Sequence, residues 1–372
     1  MVRILCINAA GKGDLHGIRA RLLTQQLKAQ ITHVDLDRAQ SRWQTSKEVW
    51  TLLKSQPWDL VYQESSGIAS GLNLIRAARS WGQRYVISTG DPVGGFFYTT
   101  KGPLWGALFE LYERLLYQHC TGFIGWTPYL TGMALKMGAK RAITVEGGAD
   151  LQQFRPLPDE QRARLRAQWG LPPGHLVCGV VGSLKWTARQ AYCYGLELIE
   201  MLQYLRRTDL SVLIVGSGDG QAILERRIPE ALRPRVVFTG RLLPEQVTGA
   251  LNAMDIGFIT QTLDGLGNYR LTTKLPEYLA CGLPVAMSPT PGFYDYVLPA
   301  GWALPAAHPS SPAYHRQCAQ WLDRLSWEEV KLKSSQARPL ATTYFDYHKG
   351  ALRFTAFMEE LLSQSPLTDD RV

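Results

Sequence analysis
Four reactive side chains crowd into six residues of the stretch YRLTTKLPEYLACGLPV, which runs from Tyr269 to Val285. They are the hydroxyls of Thr272 and Thr273, the ammonium of Lys274 and the carboxylate of Glu277. Either threonine can serve as an N-cap, Pro276 and Glu277 suit a first helical turn, and Gly282 suits a stop. The spacing therefore predicts a short helix leading into a strand. Free amides at such a helix start, together with Lys274, would stabilise negative charge on a departing diphosphate. Glu277 could accept hydrogen bonds from two adjacent hydroxyls of a ribose, or simply offset the helix dipole.

Two glycine-rich turns follow strand-like runs. INAAGKGDLHG, residues 7–17, leads into the helical pattern IRARLLTQQLKAQ, and Gly11, Gly13 and Gly17 would let the backbone approach an anionic ligand there. LIVGSGDG, residues 213–220, offers Gly216, Gly218 and Gly220 in the same way. Neither is the dinucleotide fingerprint. The first reads G-x-G-x-x-x-G, and in the second Gln221 stands where the third glycine belongs, with Arg241 rather than an acid further on. A dinucleotide oxidoreductase is thereby disfavoured. His16 could orient a substrate from the first turn. ISTGDPVGGFF, residues 87–97, puts Asp91 where a carboxylate could orient an acceptor hydroxyl or its proton, or merely cap the turn before Pro92.

The seven histidines show no H-E-x-x-H and no clustered pair, so neither a metal nor another cofactor is expected. No G-x-S-x-G and no Walker loop occurs. Six scattered cysteines lack metal-ligand spacing and read as reduced, mostly buried thiols of a cytoplasmic protein. The N-terminal run lacks the length and cleavage site of a signal peptide, and no window approaches the ~20 apolar residues of a membrane span. A net charge of +8 favours anionic partners, nucleotides or phospholipid head groups among them, or is simply a basic surface. No basic patch interleaved with aromatics is visible, so nucleic acid is set aside.

These side chains need elements to place them. Short runs rich in Val and Ile alternate with helical patterns, which argues for parallel sheets covered by helices on both faces. VRILCINAA, ITHVDLD, WDLVYQES, RYVISTG, TGFIGW and RAITVEGG form one series; LVCGVVGS, SVLIVGSG, RVVFTG, MDIGFIT and LPVAMSP form a second. The proline-bearing segment FRPLPDEQRARLRAQWGLPPGH separates them. The expected domains are 1–155, 156–342 and a C-terminal helical segment, 343–372, that crosses back to the first. In TTKGPLWGALFELYERLLYQH, Leu104, Trp105, Leu108, Phe109, Leu111, Tyr112, Leu115 and Leu116 make a broad apolar face beside Lys101 and Arg114. It could be core, or could rest on a membrane or a lipid-linked acceptor. Trp43, Trp50 and Trp58 could stack on a sugar or pack in a core.

KLPEYLACGLPV resembles the donor-site segment of the family-4 type retaining glycosyltransferases of the GT-B fold. VEGGADLQQFRP at 145–156 is similar to that family's interdomain segment, and VVGSLKW, LIVGSGDG and VVFTGRLLPEQVTGALNAMDIGFI are similar to its successive second-domain blocks. The resemblance implies an α/β fold of two doubly wound Rossmann-like domains facing a cleft. It assigns Glu277 to the donor ribose and Lys274, Thr272 and Thr273 to the pyrophosphate. It also implies a further cation for the diphosphate, with Lys185, Arg189 and Arg241 as candidates. The family spaces two acids eight positions apart, and eight residues before Glu277 stands Tyr269, so Asp264 is the substitute that a longer loop would offer.

The reading is a cytoplasmic, metal-independent hexosyltransferase that uses a nucleotide-sugar donor with retention. Asp91, Lys274 and Glu277 are the catalytic candidates, and His16 and Asp91 are the acceptor-binding ones. The donor-binding set is Gly11, Gly13, Lys185, Arg189, Gly216, Arg241, Asp264, Thr272, Thr273, Lys274 and Glu277. The acceptor is a glycan, lipid-linked or small-molecule hydroxyl, and peripheral contact with the inner membrane face stays open. A non-catalytic GT-B protein and a nucleotide-sugar epimerase are the alternatives.

Overall fold
The structure is a computed structural model that describes residues 1–188 and 191–364, which leaves the candidate Arg189 outside the described residues. The chain divides into two compact units. The first holds Met1–Gly148, Asp264–Leu271 and the segment from Tyr347; the second holds Ala149–Leu263 and Thr272–Asp346. Compared with the division expected from sequence, the first boundary falls earlier, at Gly148. The eight residues Asp264–Leu271 join the first unit although the second surrounds them in sequence.

The first unit is built on β1 (Arg3–Asn8), β2 (Gln30–Asp35), β3 (Leu60–Glu64), β4 (Tyr85–Thr89), β5 (Gly122–Gly125) and β6 (Ala142–Thr144). All pairings are parallel, in the order β2-β1-β3-β4-β5-β6. Alternation sends Leu5, Ile7, Val61, Tyr85 and Ile87 to one buried face, and Ile4, Cys6, Leu60, Tyr62 and Val86 to the other. Burial on both faces explains why these strands read as near-continuous apolar runs. Helix Tyr347–Ser363 supplies Phe354, Phe357, Met358 and Leu361 to the second face, beside Ala20 and Leu23 of helix Leu15–Thr24.

The second unit repeats the plan with β7 (Leu176–Val181), β8 (Leu210–Val215), β9 (Val236–Gly240), β10 (Ile256–Ile259), β11 (Val285–Met287) and β12 (Gly301–Ala303). Its order is β12-β11-β10-β7-β8-β9, again parallel throughout. Strand β12 is only Gly-Trp-Ala, too short and too weak in β-branched residues to be read from sequence. All six cysteines are buried and free, as expected for structural thiols.

Helix Pro103–Gln118 starts with proline in its first turn, after Gly102 at φ 104°. Its apolar stripe divides: Phe109, Tyr112 and Leu116 are buried, whereas Leu104, Trp105, Leu108, Leu111 and Leu115 are exposed, Leu104 by 87%. The three tryptophans do not assemble. Trp58 is core, with Nε1 donating to the Leu52 carbonyl at 2.8 Å; Trp50 lies against Trp81 and under the Arg76 guanidinium; Trp43 is exposed.

The buried polar centre of the first unit is Glu64, at the end of β3. It accepts from Ser88 Oγ at 3.0 Å, Trp126 Nε1 at 3.1 Å, Arg19 Nη1 at 3.3 Å and the Tyr62 hydroxyl. Arg19 and Glu64 are both fully buried, and Arg19 Nη2 also donates to the Val145 carbonyl at 2.5 Å. Burial opposes ionisation of Glu64, but the charge of Arg19, followed by His16 and Tyr62, holds the carboxyl below its usual range. Removing one partner of such a pair leaves the other charged and buried. Arg19→Met is therefore expected to lower stability by about 3–5 kcal/mol in urea unfolding, and an unchanged midpoint would show the pair to be incidental.

Candidate functional site
In the second unit the loops after β7, β8 and β9 are tied by backbone bonds. Gly182 N donates to Val215 O at 2.9 Å, Leu184 N to Ser217 O at 3.1 Å, Gly220 N to Leu184 O at 2.8 Å and Gly216 N to Gly240 O at 3.0 Å. Trp186 N donates to Asp219 Oδ1 at 2.7 Å. Gly216, at φ +139°, lies against the Gly182 carbonyl so closely that a side chain there would overlap it. The glycines of LIVGSGDG are thus required by loop-to-loop packing. Lys185 and Arg241 are both exposed, the latter following Gly240 at φ 70°.

Beside this platform stands the helix of the opening motif, Lys274–Ala280. Gly282 at φ 73° ends it, and Arg338 Nη1 donates to the Ala280 carbonyl at 2.6 Å. Thr273 occupies the N-cap position, but its side chain makes no capping bond. Leu275 N instead donates to the carbonyl of Thr272, a buried residue, at 3.2 Å. With seven residues the helix has two turns, so the positive charge at its start comes mainly from Lys274 rather than from the dipole. Lys274 Nζ lies 3.1 Å from the centre of the Tyr194 ring, and a methyl group at Gly182 would come within 2.7 Å of it. Lys274 therefore reaches the end of β7. Glu277 is half-buried, and burial pushes its carboxyl up to about 7 against the opposing charge of Lys274.

The first unit gathers a second set of candidates at the ends of β1, β3 and β4. Asn8 shapes the glycine turn: its Nδ2 donates to Gly11 O and to Asp35 Oδ1, each at 2.8 Å, and its Oδ1 accepts from Ala10 N at 3.0 Å. Gly11 needs its φ of +105° and the space beneath Arg38, whereas Gly13, at φ +75°, faces open space. Asp35 and Asp37, a D-x-D spacing that the sequence reading passed over, are absorbed locally. Arg21 and Asn8 hold Asp35, and Asp37 Oδ1 accepts from Ala39 N at 2.8 Å.

Asp14 caps helix Leu15–Thr24 by accepting from His16 N, and the imidazole of His16 lies against Trp126 with ring centres 5.0 Å apart. His16 Nδ1 is 3.6 Å from Glu64 Oε1, an ion contact rather than a hydrogen bond. Burial favours neutral imidazole, but Glu64, with Asp14 and Asp91 behind it, outweighs burial and raises its pKa.

Asp91 does not cap the helix that follows it. The first amides of helix Val93–Lys101 are taken by Glu113, Val93 N at 2.6 Å and Gly94 N at 2.8 Å. Asp91 Oδ1 is thereby free to meet Arg270 Nε at 3.0 Å. Asp264, offered as the sugar-holding acid, has other partners. Oδ1 accepts from Leu266 N at 2.9 Å and Gly267 N at 3.0 Å, and Oδ2 accepts from Thr99 Oγ1 at 2.9 Å. These bonds, with Thr127 Oγ1 donating to the Tyr269 carbonyl at 2.7 Å, anchor 264–271 in the first unit.

Sequence reasoning passed over Glu64, Arg19, Trp126, Arg270, Tyr194 and Glu197. Glu64 carried a signal, an acid closing an otherwise apolar strand, and Arg270 stood inside the opening motif.

Residues 175–323 match the family model described as Glycosyl transferases group 1. Among solved structures, Anabaena HepE, determined with UDP-glucose, shares 16% identity at a TM-score of 0.74, over 97% of this chain and 100% of that one. Sucrose-phosphate synthase from Thermosynechococcus elongatus shares 14% at a TM-score of 0.72, over 98% and 100%. WaaG, a glycosyltransferase involved in lipopolysaccharide biosynthesis, shares 17% at a TM-score of 0.64, over 95% and 100%. No curated protein matches the sequence. The fold is GT-B, and the resemblance read from KLPEYLACGLPV and its companion blocks is borne out.

The raised pKa of His16 has a definite sign. The imidazolium–Glu64 contact contributes stability at pH below the unfolded value of about 6.5 and loses it as pH rises through the folded value. NMR titration is expected to place His16 above 6.5 and to find it lowered in Glu64→Gln. A His16 value at or below 6.5 in the parent protein would refute the contact.

Proposed function
From a GT-B chain whose residues 175–323 match group 1 glycosyl transferases, we propose a metal-independent glycosyltransferase that moves a hexosyl group from a nucleotide-sugar donor to an acceptor hydroxyl with retention. The observation that carries the reading is the placement of Lys274 at the end of β7, with Glu277 one turn along the same helix. Lys274 stabilises the charge that develops on the diphosphate as the anomeric C–O bond breaks, the task a metal ion performs elsewhere. Glu277 accepts hydrogen bonds from the two ribose hydroxyls. The oxocarbenium-like centre is then attacked by the acceptor oxygen from the face the diphosphate leaves, and the acceptor's proton passes to the departing diphosphate. Asp91 and His16, in the first unit, are proposed to position that acceptor. Arg241 and Lys185 are the remaining candidate cations for the diphosphate.

The likeness to HepE, determined with UDP-glucose, makes UDP the first donor base to try. A thermal-shift panel of UDP, GDP, ADP and TDP is expected to show stabilisation by one of them, undiminished by a chelator. With that donor, kcat/KM is expected to rise as pH increases through about 7, because Glu277 must lose its proton to accept both hydroxyl bonds. Glu277→Gln should remove that limb and lower kcat/KM roughly ten- to a hundredfold, the worth of one or two charge-assisted bonds. An unchanged pH profile would take Glu277 out of the donor site.

The exposed half of helix Pro103–Gln118 supports peripheral contact with an anionic membrane surface. Leu104, Leu108, Leu111 and Leu115 form one exposed stripe beside Trp105, with Lys101 and Arg114 also exposed. By sequence the first unit has 21 Lys and Arg against 15 Asp and Glu, an excess of 6 out of the chain's 8, so most of the basic excess lies there. Among the described residues no helix is long and apolar enough to cross a membrane. The protein is expected to sediment with phosphatidylglycerol vesicles, less with phosphatidylcholine, and Leu108→Asp/Leu111→Asp should abolish it. Self-association through the stripe without vesicle binding would replace the membrane with a second copy.

A further inference from the structure
We propose that Tyr194, backed by Glu197, forms a seat that holds the Lys274 ammonium at the end of β7, which makes Tyr194 a positioning residue for the departing diphosphate. The inference rests on the donor role of Lys274 proposed above and deepens it.

A lysine carries its charge on a flexible four-carbon stem and is not directed by its own backbone. Here the end of that stem is directed from outside. Nζ stands over the face of the Tyr194 ring at 3.1 Å from its centre, where the ring's negative face attracts a cation. A methyl group at Gly182 would lie 2.7 Å from Nζ and 3.1 Å from Tyr194 Cδ2, so any side chain there would displace both groups. On the same segment, Glu197 is fully buried and within electrostatic reach of Lys274. Its carboxylate is fixed by Thr260 Oγ1 at 2.7 Å and by the Tyr192 hydroxyl at 3.0 Å.

The seat is itself held in place. Thr187 and Tyr192 exchange backbone bonds at 3.0 and 3.4 Å, and the Tyr192 and Tyr194 rings meet edge to face at 6.1 Å. Gly195, at φ +94°, then turns the chain into helix Leu196–Leu202, which carries Glu197. Three consecutive features of one segment thus converge on an ammonium supplied by another. Ordering Lys274 before the ligand arrives removes a cost that binding would otherwise bear.

The test is a double-mutant cycle on affinity, by calorimetry, for whichever of UDP, GDP, ADP and TDP the parent protein binds. Tyr194→Leu is expected to weaken binding roughly three- to tenfold, the range a cation over a ring implies, and Tyr194→Phe to restore it. In a Lys274→Met background, Tyr194→Leu should have no further effect. Equal losses in both backgrounds, or a Phe variant as weak as Leu, would overturn the seat while leaving the donor site standing. Lys274→Met with parental affinity would instead remove Lys274 from the site and the seat with it, and binding of none of the four nucleotides would do the same through the function. Tyr194→Met replaces the Leu variant should the latter unfold, and thermal melts of every variant separate lost seating from lost folding.

Discussion

Parallel pairing throughout both sheets forces each crossover to carry the chain back to the starting edge, so the loops that leave the strands collect on the opposite edge of each sheet. Where the strand order reverses, neighbouring crossovers depart to opposite faces and leave room for a ligand. The reversal falls between β1 and β3 in the first unit and between β7 and β10 in the second. His16 follows β1 and Glu64 closes β3. Gly182 follows β7, and Thr260, which holds Glu197, follows β10. The chemistry of each unit therefore stands where topology alone would put it, and the remaining structure serves to place side chains there.

Each reversal is also marked by a fully buried glutamate, and the two are handled differently. Glu64 has the Arg19 guanidinium against it and stays ionised despite its burial. Among the described residues no guanidinium pairs with Glu197; burial dominates and raises its pKa, while Thr260 and Tyr192 donate hydroxyl bonds to its oxygens. The contrast has a consequence for the neighbouring cations. An ionised Glu64 draws a proton onto His16, whereas Glu197, its pKa raised by burial, is drawn back toward ionisation by the charge of Lys274.

Much of the fold was legible because a parallel strand buried on both faces has a plain signature. LVYQE and LIV needed no context to be read as strands, and eleven of the twelve were found that way. GWA failed because a three-residue edge strand with glycine and alanine carries no periodicity. The proposed donor side was legible because Thr272, Thr273, Lys274 and Glu277 fall within six residues. Arg19, Glu64 and Trp126 were not, because their meeting depends on three separate crossovers. The partners of Asp264 were hidden for a related reason: spacing from Glu277 cannot reveal that Leu266, Gly267 and Thr99 bond its oxygens.

The threonine motif raised the expectation of a helix N-terminus as the anion binder, and under the proposed function that task falls to a side chain. A seven-residue helix whose N-cap threonine makes no capping bond has few aligned peptides to offer. An ammonium provides a full charge, but its strong hydration and its many rotamers make it a poor binder until neighbours restrict it. Gly182, by having no side chain, and Tyr194, by presenting a ring, supply that restriction through shape and a weak attraction. Neither carries a formal charge that would cancel the one being held. An aromatic face suits this task better than a carboxylate, because it orders the cation without neutralising it.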